Sequence, residues 1–226
     1  MNFNKKPTSG IGLTSARARK RLVEELRQGG ISNEQVLDVL YEVPRHEFLE
    51  DAINSHAYDN AALPIGFGQT ISQPSTVAIM TATLLKKFPQ GMKTVLEIGT
   101  GCGYQSAVIS CFAEKVISIE RIKELHYTAR DRLYDLKYRN VKCIHADGFL
   151  GCKDFAPYDG ILAAAVSEEV PNELIEQLSE GGRLVMPLLD TTTAEQNLII
   201  VDKTPSGIHK KVTQKVTFVP RIDGVI

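Results

Sequence analysis

The chain has 226 residues, of which 43% are hydrophobic and 23% are charged, and its formal net charge is −1. These values are typical of a globular protein and exclude disorder, collagen and a coiled coil as descriptions of the whole chain. The balance of 26 Lys and Arg against 27 Asp and Glu argues against a protein that wraps duplex nucleic acid. No apolar run approaches the roughly 20 residues that a membrane helix needs.

The amino terminus and the cysteines bear on the compartment in which we expect the protein. Residues 1–6 carry charge but no apolar stretch, so we expect no signal peptide. The four cysteines, at positions 102, 111, 143 and 152, form no C-x-x-C pair and lie at no zinc-ligand spacing from a histidine. We therefore expect reduced thiols, no bound metal, no membrane attachment and a cytoplasmic location.

The first third of the chain has a helical pattern. We expect a flexible lead-in over residues 1–14 and then a helix over 15–28, which Gly29 and Gly30 end. Ser32 or Asn33 can cap a second helix that Pro44 stops, and a third short helix is expected over residues 47–53. Residues 63–74 contain two Gly and two Pro among polar residues, which predicts an ordered loop rather than a strand. Helix returns over residues 75–87.

After Gly91 strands and helices alternate, which predicts a parallel sheet covered on both faces. Two strand-like runs near the end have no helix between them and predict an antiparallel addition at one edge. The expected fold is therefore an α/β, Rossmann-like, mostly parallel sheet with an antiparallel C-terminal edge and an N-terminal helical segment. We expect one domain over 15–226, in which 15–90 is the helical part, 91–190 the central sheet and 191–226 the terminal strands. The predicted strands are 94–98, 115–119, 141–146, 158–163, 182–186, 197–201 and 211–219, and the predicted helices after Gly91 are 104–112, 123–136 and 171–178.

A glycine-rich turn follows the first predicted strand of the sheet. Glycines at 99, 101 and 103 let the backbone turn tightly beneath the amino terminus of a helix. A dinucleotide fingerprint needs a glycine where this chain has Tyr104, which argues against a pyrophosphate on this turn. Glu97 is ill suited to a phosphate but can face a cationic amino group.

Two more acids follow the next two strands. Glu120 lies about 20 residues beyond the glycines, where a carboxylate can accept hydrogen bonds from ribose hydroxyls, and Asp147 follows the third strand. Because ligands of open α/β sheets bind at the carboxyl ends of the strands, the acids and the turn predict a nucleoside pocket for a cationic ligand. S-adenosyl-methionine matches this description, because it has an adenosine, an ammonium group and a sulfonium.

The sequence resembles the protein-L-isoaspartate O-methyltransferase family within the class I methyltransferases. The similarity extends from about residue 15 to 224, and its most specific part is residues 59–74, which other class I methyltransferases generally lack. Shorter matching segments are residues 95–104, 118–121, 147–148, 156–159, 181–187 and 218–220.

This resemblance implies methyl transfer from S-adenosyl-methionine to the free carboxylate of an L-isoaspartyl residue, whose ester then closes to a succinimide and hydrolyses partly to aspartate. Ser72 is the implied catalytic residue, as a hydrogen-bond donor that orients the carboxylate. Its alternative role is to cap the helix after Pro74. The implied substrate-binding residues are Thr70, Ile71, Ser72 and Gln73, and the implied cofactor-binding residues are Ile71, Ser72, Glu97, Gly99, Thr100, Gly101, Glu120, Arg121, Asp147 and Gly148.

Two other functions stay open from the sequence. One is a class I methyltransferase that acts on another acid or on nucleic acid, and the other is a non-catalytic, cofactor-binding module for protein interaction. Arg17, Arg19, Lys20 and Arg21 form a basic cluster, which we expect to be a solvated helix face because no aromatic residues are interleaved with it. We expect a monomer whose partners are isoaspartyl peptides and proteins, with no nucleic-acid partner.

Overall fold

The computed structural model describes residues 12–220, 222 and 224–226, and for Leu13 the backbone alone. The expected lead-in lies outside the described residues up to position 11, as does the predicted lack of a signal peptide over 1–6. Gly12–Thr14 form a short 3₁₀ turn. None of the helices in the described part is both long and apolar enough to cross a bilayer.

Two helices open the described chain as predicted. Helix α1 spans Ala16–Gln28 and α2 spans Glu34–Glu42, with the Asn33 side chain accepting a hydrogen bond from Val36 N at the start of α2. The predicted third short helical piece around 47–53 is helical only in part, as 3₁₀ structure with other bounds and not as one helix. Two 3₁₀ turns, Arg45–Phe48 and Asp51–His56, replace it, because Leu49 and Glu50 are extended between them.

The basic face of α1 is only partly solvated. Arg17, Lys20 and Arg21 are exposed, but Arg19 is 2% exposed and its guanidinium carbon lies 5.8 Å from the centre of the Tyr58 ring. The expectation of a solvated basic cluster is therefore wrong for Arg19. A buried arginine beside an aromatic ring packs through its alkyl stem and its cation, which helical periodicity alone does not reveal.

The predicted loop over residues 63–74 is instead a small hairpin. Strand β1, Leu63–Gly66, pairs antiparallel with β2, Gln69–Ile71. Gly66, Phe67 and Gly68 form the tip with φ values of 88°, 53° and 68°, a left-handed conformation that the two glycines accept without strain. The glycines and Pro64 that suggested a loop therefore build the turn and a short edge strand. Helix α3, Pro74–Leu85, follows.

The central sheet has seven strands in the order β5-β4-β3-β6-β7-β8-β9. Strands β3 to β7 are parallel to one another, and β8 and β9 add antiparallel at one edge, which confirms the predicted fold class. The strands are β3 Met92–Ile98, β4 Ala113–Glu120, β5 Val141–His145, β6 Tyr158–Ala163, β7 Leu178–Asp190, β8 Glu195–Thr204 and β9 Gly207–Lys215, and the helices between them are α4 Tyr104–Ser110, α5 Lys123–Asp135 and α6 Asn172–Gln177.

Both faces of the sheet are covered. Val95 and Leu162 pack with side chains of α1, α2, α3 and α4, whereas their neighbours Leu96 and Ile161 pack with Leu174 of α6 on the other face. Successive residues of a strand point to opposite faces, so a run of apolar residues fills both layers. All four strand residues are fully buried, and their sheet holds the carboxyl ends of β3, β4 and β6 in register.

The last strand ends earlier than the sequence predicted. We expected it over 211–219, but β9 starts at Gly207 and ends at Lys215. Val216 N still donates to the Gln196 carbonyl of β8, and beyond it the chain leaves the ladder, because the Gln196 side chain pairs with the backbone of Phe218 through both its oxygen and its nitrogen, at 2.6 and 3.2 Å. Residues 216–220 thereby turn toward the carboxyl ends of the parallel strands.

Candidate active site

The glycine turn joins β3 to α4 at the carboxyl edge of the sheet. Gly99, Gly101 and Gly103 have φ values of 89°, 55° and 92°, so three successive alternate positions need a conformation that other residues rarely adopt. The amides of Gly99 and Thr100 both donate to the Ile119 carbonyl, which fixes the turn on β4. The turn forms part of the wall of a cavity of about 430 Å³.

Glu120 holds the turn from the neighbouring strand. Its Oε2 accepts a hydrogen bond of 2.8 Å from Gly101 N, and its Oε1 accepts one of 3.0 Å from Ile122 N. The carboxylate lines the cavity although only 5% of the residue is exposed. Because each carboxylate oxygen has more than one lone pair, Glu120 can bind the turn and still accept a hydrogen bond from a ligand.

Asp147 occupies the same position one strand further out. Its Oδ1 accepts from Phe149 N at 3.1 Å, and its Oδ2 accepts from Gly224 N at 2.9 Å. The second contact holds the end of the chain against the carboxyl end of β5. Gly148 beside it has no room for a side chain, because an added Cβ would clash with Ile98.

Glu97 lies beneath the turn and is not among the residues that line the cavity. It is fully buried, and its Oε2 accepts hydrogen bonds from Ser106 and Ser118. Its Oε1 has no hydrogen-bond partner within the described residues. Burial away from water raises the pKa of the Glu97 carboxyl to about 7, although the two hydroxyls oppose this shift.

The segment after the hairpin forms another part of the cavity wall. Thr70, Ile71, Ser72 and Gln73 all line the cavity, with Ile71 buried and Ser72 half-buried. The Ser72 hydroxyl makes no hydrogen bond within the described residues, and the side chain of the N-cap residue of α3, Gln73, makes no capping hydrogen bond. The capping role is therefore wrong for Ser72. The Asn60 side chain instead accepts a hydrogen bond from Ser75 N in the first turn of α3.

The structure thus brings together all the proposed site residues except Glu97. Ile71, Ser72, Gly99, Thr100, Gly101, Glu120, Arg121, Asp147 and Gly148 line one cavity with Thr70 and Gln73.

Several residues of the cavity wall were not predicted from the sequence. Lys215, Thr217 and Ile222 line the cavity because the chain turns back after β9, whereas the predicted strand over 211–219 left no such turn. Phe218 and Pro220 were noted only as part of the family resemblance. Their signal was the Phe-Val-Pro motif itself, since nothing in its periodicity points to a cavity wall.

Cys102 also lines the cavity, within the glycine turn. It is a free cysteine and is 5% exposed. Burial raises the pKa of its thiol above the ordinary value. The side chain is therefore a neutral thiol at physiological pH.

Comparison with known proteins decides the family. The family model described as protein-L-isoaspartate(D-aspartate) O-methyltransferase matches residues 17–225. The chain belongs to this family. It is 48% identical over 219 residues to protein-L-isoaspartate O-methyltransferase 1 of Marinobacter nauticus, with 96% of this chain and 97% of the relative covered. It is 48% identical over 220 residues to the Methylobacillus flagellatus protein-L-isoaspartate O-methyltransferase, with 96% of each covered.

Solved structures agree with this assignment. One protein-L-isoaspartate O-methyltransferase structure superposes with a TM-score of 0.80 at 27% identity, over 92% of this chain and 67% of that one. A second, from Plasmodium falciparum in complex with S-adenosyl-L-homocysteine, gives a TM-score of 0.78 at 25% identity, over 89% of this chain and 97% of that one. The family resemblance and the Rossmann-like fold expected from the sequence are both confirmed.

Proposed function

We propose that this protein methylates the free carboxylate of L-isoaspartyl residues in damaged proteins and peptides, with S-adenosyl-methionine as the methyl donor. The methyl ester that forms is more electrophilic than a carboxylate, because methanol can leave from its carbonyl carbon. Attack by the neighbouring backbone nitrogen then gives a succinimide, which hydrolyses partly to normal aspartate. Membership of the family supports this activity, and the layout of the cavity supports the residue roles below.

The cavity has the groups that S-adenosyl-methionine needs. Glu120 would accept from the ribose hydroxyls, Asp147 and Gly148 would lie on the adenine side, and Gly99 and Gly101 would face the methionine part. Thr100 and Arg121 complete that wall. Glu97 lies beneath this wall rather than in it, so its contact with the ammonium group stays a prediction, although its Oε1 has no partner within the described residues. The bound cofactor supplies an electrophilic methyl group on a sulfonium.

The acceptor needs little chemical activation by the protein. An α-carboxylate has an unperturbed pKa of about 3.3–3.7 and is ionised at neutral pH, so no strong base is required. Attack of an anion on a sulfonium neutralises charge, and a cavity that excludes water favours that change. The contribution of the protein is therefore to hold the carboxylate in line with the methyl group.

Ser72 is suited to this task. Its hydroxyl has no partner within the described residues, so it can donate to a carboxylate without breaking an existing hydrogen bond. Thr70, Ile71 and Gln73 flank it on the same wall and would contact the peptide. The observation that carries the proposal is that this segment and the strand-end acids line one cavity.

Paired peptides test the activity. Two peptides that differ only in aspartate against isoaspartate are incubated with the protein and methyl-labelled S-adenosyl-methionine. We expect base-labile label on the isoaspartyl peptide alone, because a carboxyl methyl ester hydrolyses in base. Equal labelling of both peptides would remove the substrate assignment. Cofactor binding without transfer to either peptide would favour a non-catalytic module.

The assembly and the compartment stay predictions. We expect a monomer in the cytoplasm, which light scattering after gel filtration and cell fractionation test directly. A stable dimer in solution would contradict the first expectation, and recovery from an extracytoplasmic fraction would contradict the second.

A further inference from the structure

Strand β9 forms one edge of the seven-stranded sheet. It pairs with β8 on one side, and no other strand in the described part of the chain pairs with it. All nine of its residues are exposed, and Val212 retains 64% of its surface. Its outer backbone groups form an unpaired ladder, which is the feature that lets an extended chain add to a sheet.

The free edge is basic. The nine residues of β9 include His209, Lys210, Lys211 and Lys215 and contain no acid. Lys215 pairs with Glu195 of β8, whereas Lys210 and Lys211 form no ion pair within the described residues. The edge therefore presents two free cations to anything that pairs with it.

The same strand leads directly into the active site. Lys215, the last residue of β9, lines the cavity, and so do residues 216–220 that follow it. A chain laid along β9 is thus continuous with the space that receives the acceptor carboxylate. At about 3.3 Å per residue, the nine residues of the strand offer roughly 30 Å of edge.

We propose that the free edge of β9 binds the part of the substrate C-terminal to its isoaspartyl residue, as an added antiparallel strand, and favours acidic residues there. This inference rests on the proposed function. Strand β9 runs toward the cavity, so an antiparallel partner runs away from it, and antiparallel pairing continues the pattern of β7, β8 and β9. Backbone pairing does not depend on side chains, which suits an enzyme whose targets differ in sequence.

Pairing of two copies of this chain through β9 is disfavoured by charge. An antiparallel β9–β9 contact would bring Lys210 and Lys211 of each copy close to those of the other. Like charges on opposed strands are destabilising, and lysines on edge strands commonly prevent such association. An acidic peptide is attracted instead of repelled, because its carboxylates would neutralise the two free cations.

A peptide series tests the length and direction of the contact. Isoaspartyl peptides carry C-terminal flanks of one to ten residues, either acidic or neutral, and a second set extends the N-terminal flank instead. We expect KM to fall about tenfold as an acidic C-terminal flank grows to roughly eight residues, with kcat nearly constant. N-terminal extension should have little effect. The proposal is overturned if KM does not change with the length of the C-terminal flank, or if it changes only with the length of the N-terminal flank.

A charge reversal with a matched control tests the surface. The double variant Lys210→Glu, Lys211→Glu should raise KM for the acidic long peptide about tenfold and lower it for a basic one. Its kcat and its KM for the shortest peptide should match the parent. Lys86→Glu, Lys93→Glu makes the same change of charge at the end of α3 and the start of β3, both exposed, and should leave every KM within about twofold. Equal effects of the two double variants overturn the proposal.

Backbone methylation separates strand pairing from charge attraction. In an added strand, alternate amides of the peptide face β9. Two peptides are compared, one N-methylated at the odd-numbered amides of the C-terminal flank and one at the even-numbered amides. One of these two phases should raise KM, and the other should leave it nearly unchanged. Equal effects of both phases, or none, overturn the pairing. Enzymatic methyl transfer to the shortest isoaspartyl peptide keeps the two proposals apart. If the protein does not methylate this peptide, the proposed function is contradicted. If it does so but the flanks have no effect, only the role of β9 is contradicted.

Discussion

The carboxylates at the strand ends and the hydroxyl after the hairpin line the same cavity but differ in their bonding. Glu120 and Asp147 each accept two backbone hydrogen bonds from the protein itself. The Ser72 hydroxyl accepts and donates none within the described residues. The strand-end wall is therefore organised before a ligand binds, whereas the hairpin wall keeps a donor free for one.

This difference matches the demands of the two ligands. A cofactor with a fixed structure is bound best by groups already held in place, since little ordering remains to oppose binding. A peptide acceptor brings variable neighbours and one constant carboxylate, for which a single free donor is sufficient. Changes at Glu120 and Ser72 test whether the two walls act independently, and changes at Glu97 and Asp147 test the strand-end side alone.

The largest expected effect concerns Glu97, which lies beneath the strand-end wall and whose Oε1 has no partner within the described residues. Its carboxyl has a pKa of about 7 in the folded protein and an ordinary value of 4.5, so the native state keeps a proton that the unfolded state releases between these pH values. The free energy of unfolding should therefore fall by at most about 3 kcal/mol from pH 4.5 to 7, and this contribution should be constant above.

Urea unfolding of the parent and of Glu97→Gln across this pH range measures the effect. The glutamine variant keeps the size of the side chain and has no proton to lose, so the difference between the two proteins should shrink toward low pH. Parallel pH profiles for parent and variant would contradict the raised pKa.

Glu120→Ala tests whether the cofactor wall is organised by its acid. The change leaves Gly101 N and Ile122 N without their charged acceptor, and each such loss costs about 1–3 kcal/mol. We expect the Kd for S-adenosyl-homocysteine, measured by calorimetry, to rise by about 50-fold, and KM for the peptide at saturating cofactor to change little. Glu120→Gln retains one acceptor and should lie between. Equal losses on both ligands would show that the two walls are not independent.

Ser72→Ala makes the complementary change on the hairpin wall. It removes one hydrogen bond to a charged acceptor, worth about 1.5–3 kcal/mol, so we expect kcat/KM for the isoaspartyl peptide to fall by about 30-fold. The Kd for the cofactor should stay within about twofold, because no strand-end contact depends on this hydroxyl. Ser72→Thr keeps the donor and should restore most of the activity. A large loss of cofactor affinity would contradict the assignment of Ser72 to the acceptor.

The smallest effect is expected at Asp147. Asp147→Asn can still accept from Phe149 N but replaces the second acceptor with an amide, which cannot accept from Gly224 N. We expect the Kd for the cofactor to rise about fivefold, with about 1 kcal/mol of stability lost. Unchanged cofactor affinity would remove Asp147 from the proposed binding wall.

Much of the fold followed from local patterns. Alternating strands and helices predicted the sheet, and glycines at 99, 101 and 103 predicted the turn, because both depend on short-range periodicity and backbone freedom. The strand ends placed Glu120 and Asp147 on one edge, since the carboxyl ends of parallel strands meet there. Their backbone partners were not predicted, because Gly224 is remote in sequence from Asp147.

The wrong predictions have local and tertiary causes. The hairpin over Leu63–Gly66 and Gln69–Ile71 has only three residue pairs, and its Gly and Pro content is equally typical of a loop. Arg19 carries a charge on a helix that looked solvated, yet it packs on Tyr58. Strand β9 ends at Lys215 because Gln196 binds the backbone of Phe218, a side-chain contact that no periodicity records.

Cys102 has a chemical consequence for the fidelity of the enzyme. A thiolate is a soft nucleophile that attacks electrophilic carbon readily, and this cysteine lies in the wall of the cavity that we assign to the methyl donor. Because burial raises the pKa of the Cys102 thiol, we expect little thiolate to be available to compete with the carboxylate for the methyl group. Burial of this side chain therefore disfavours methylation of the enzyme by its own cofactor.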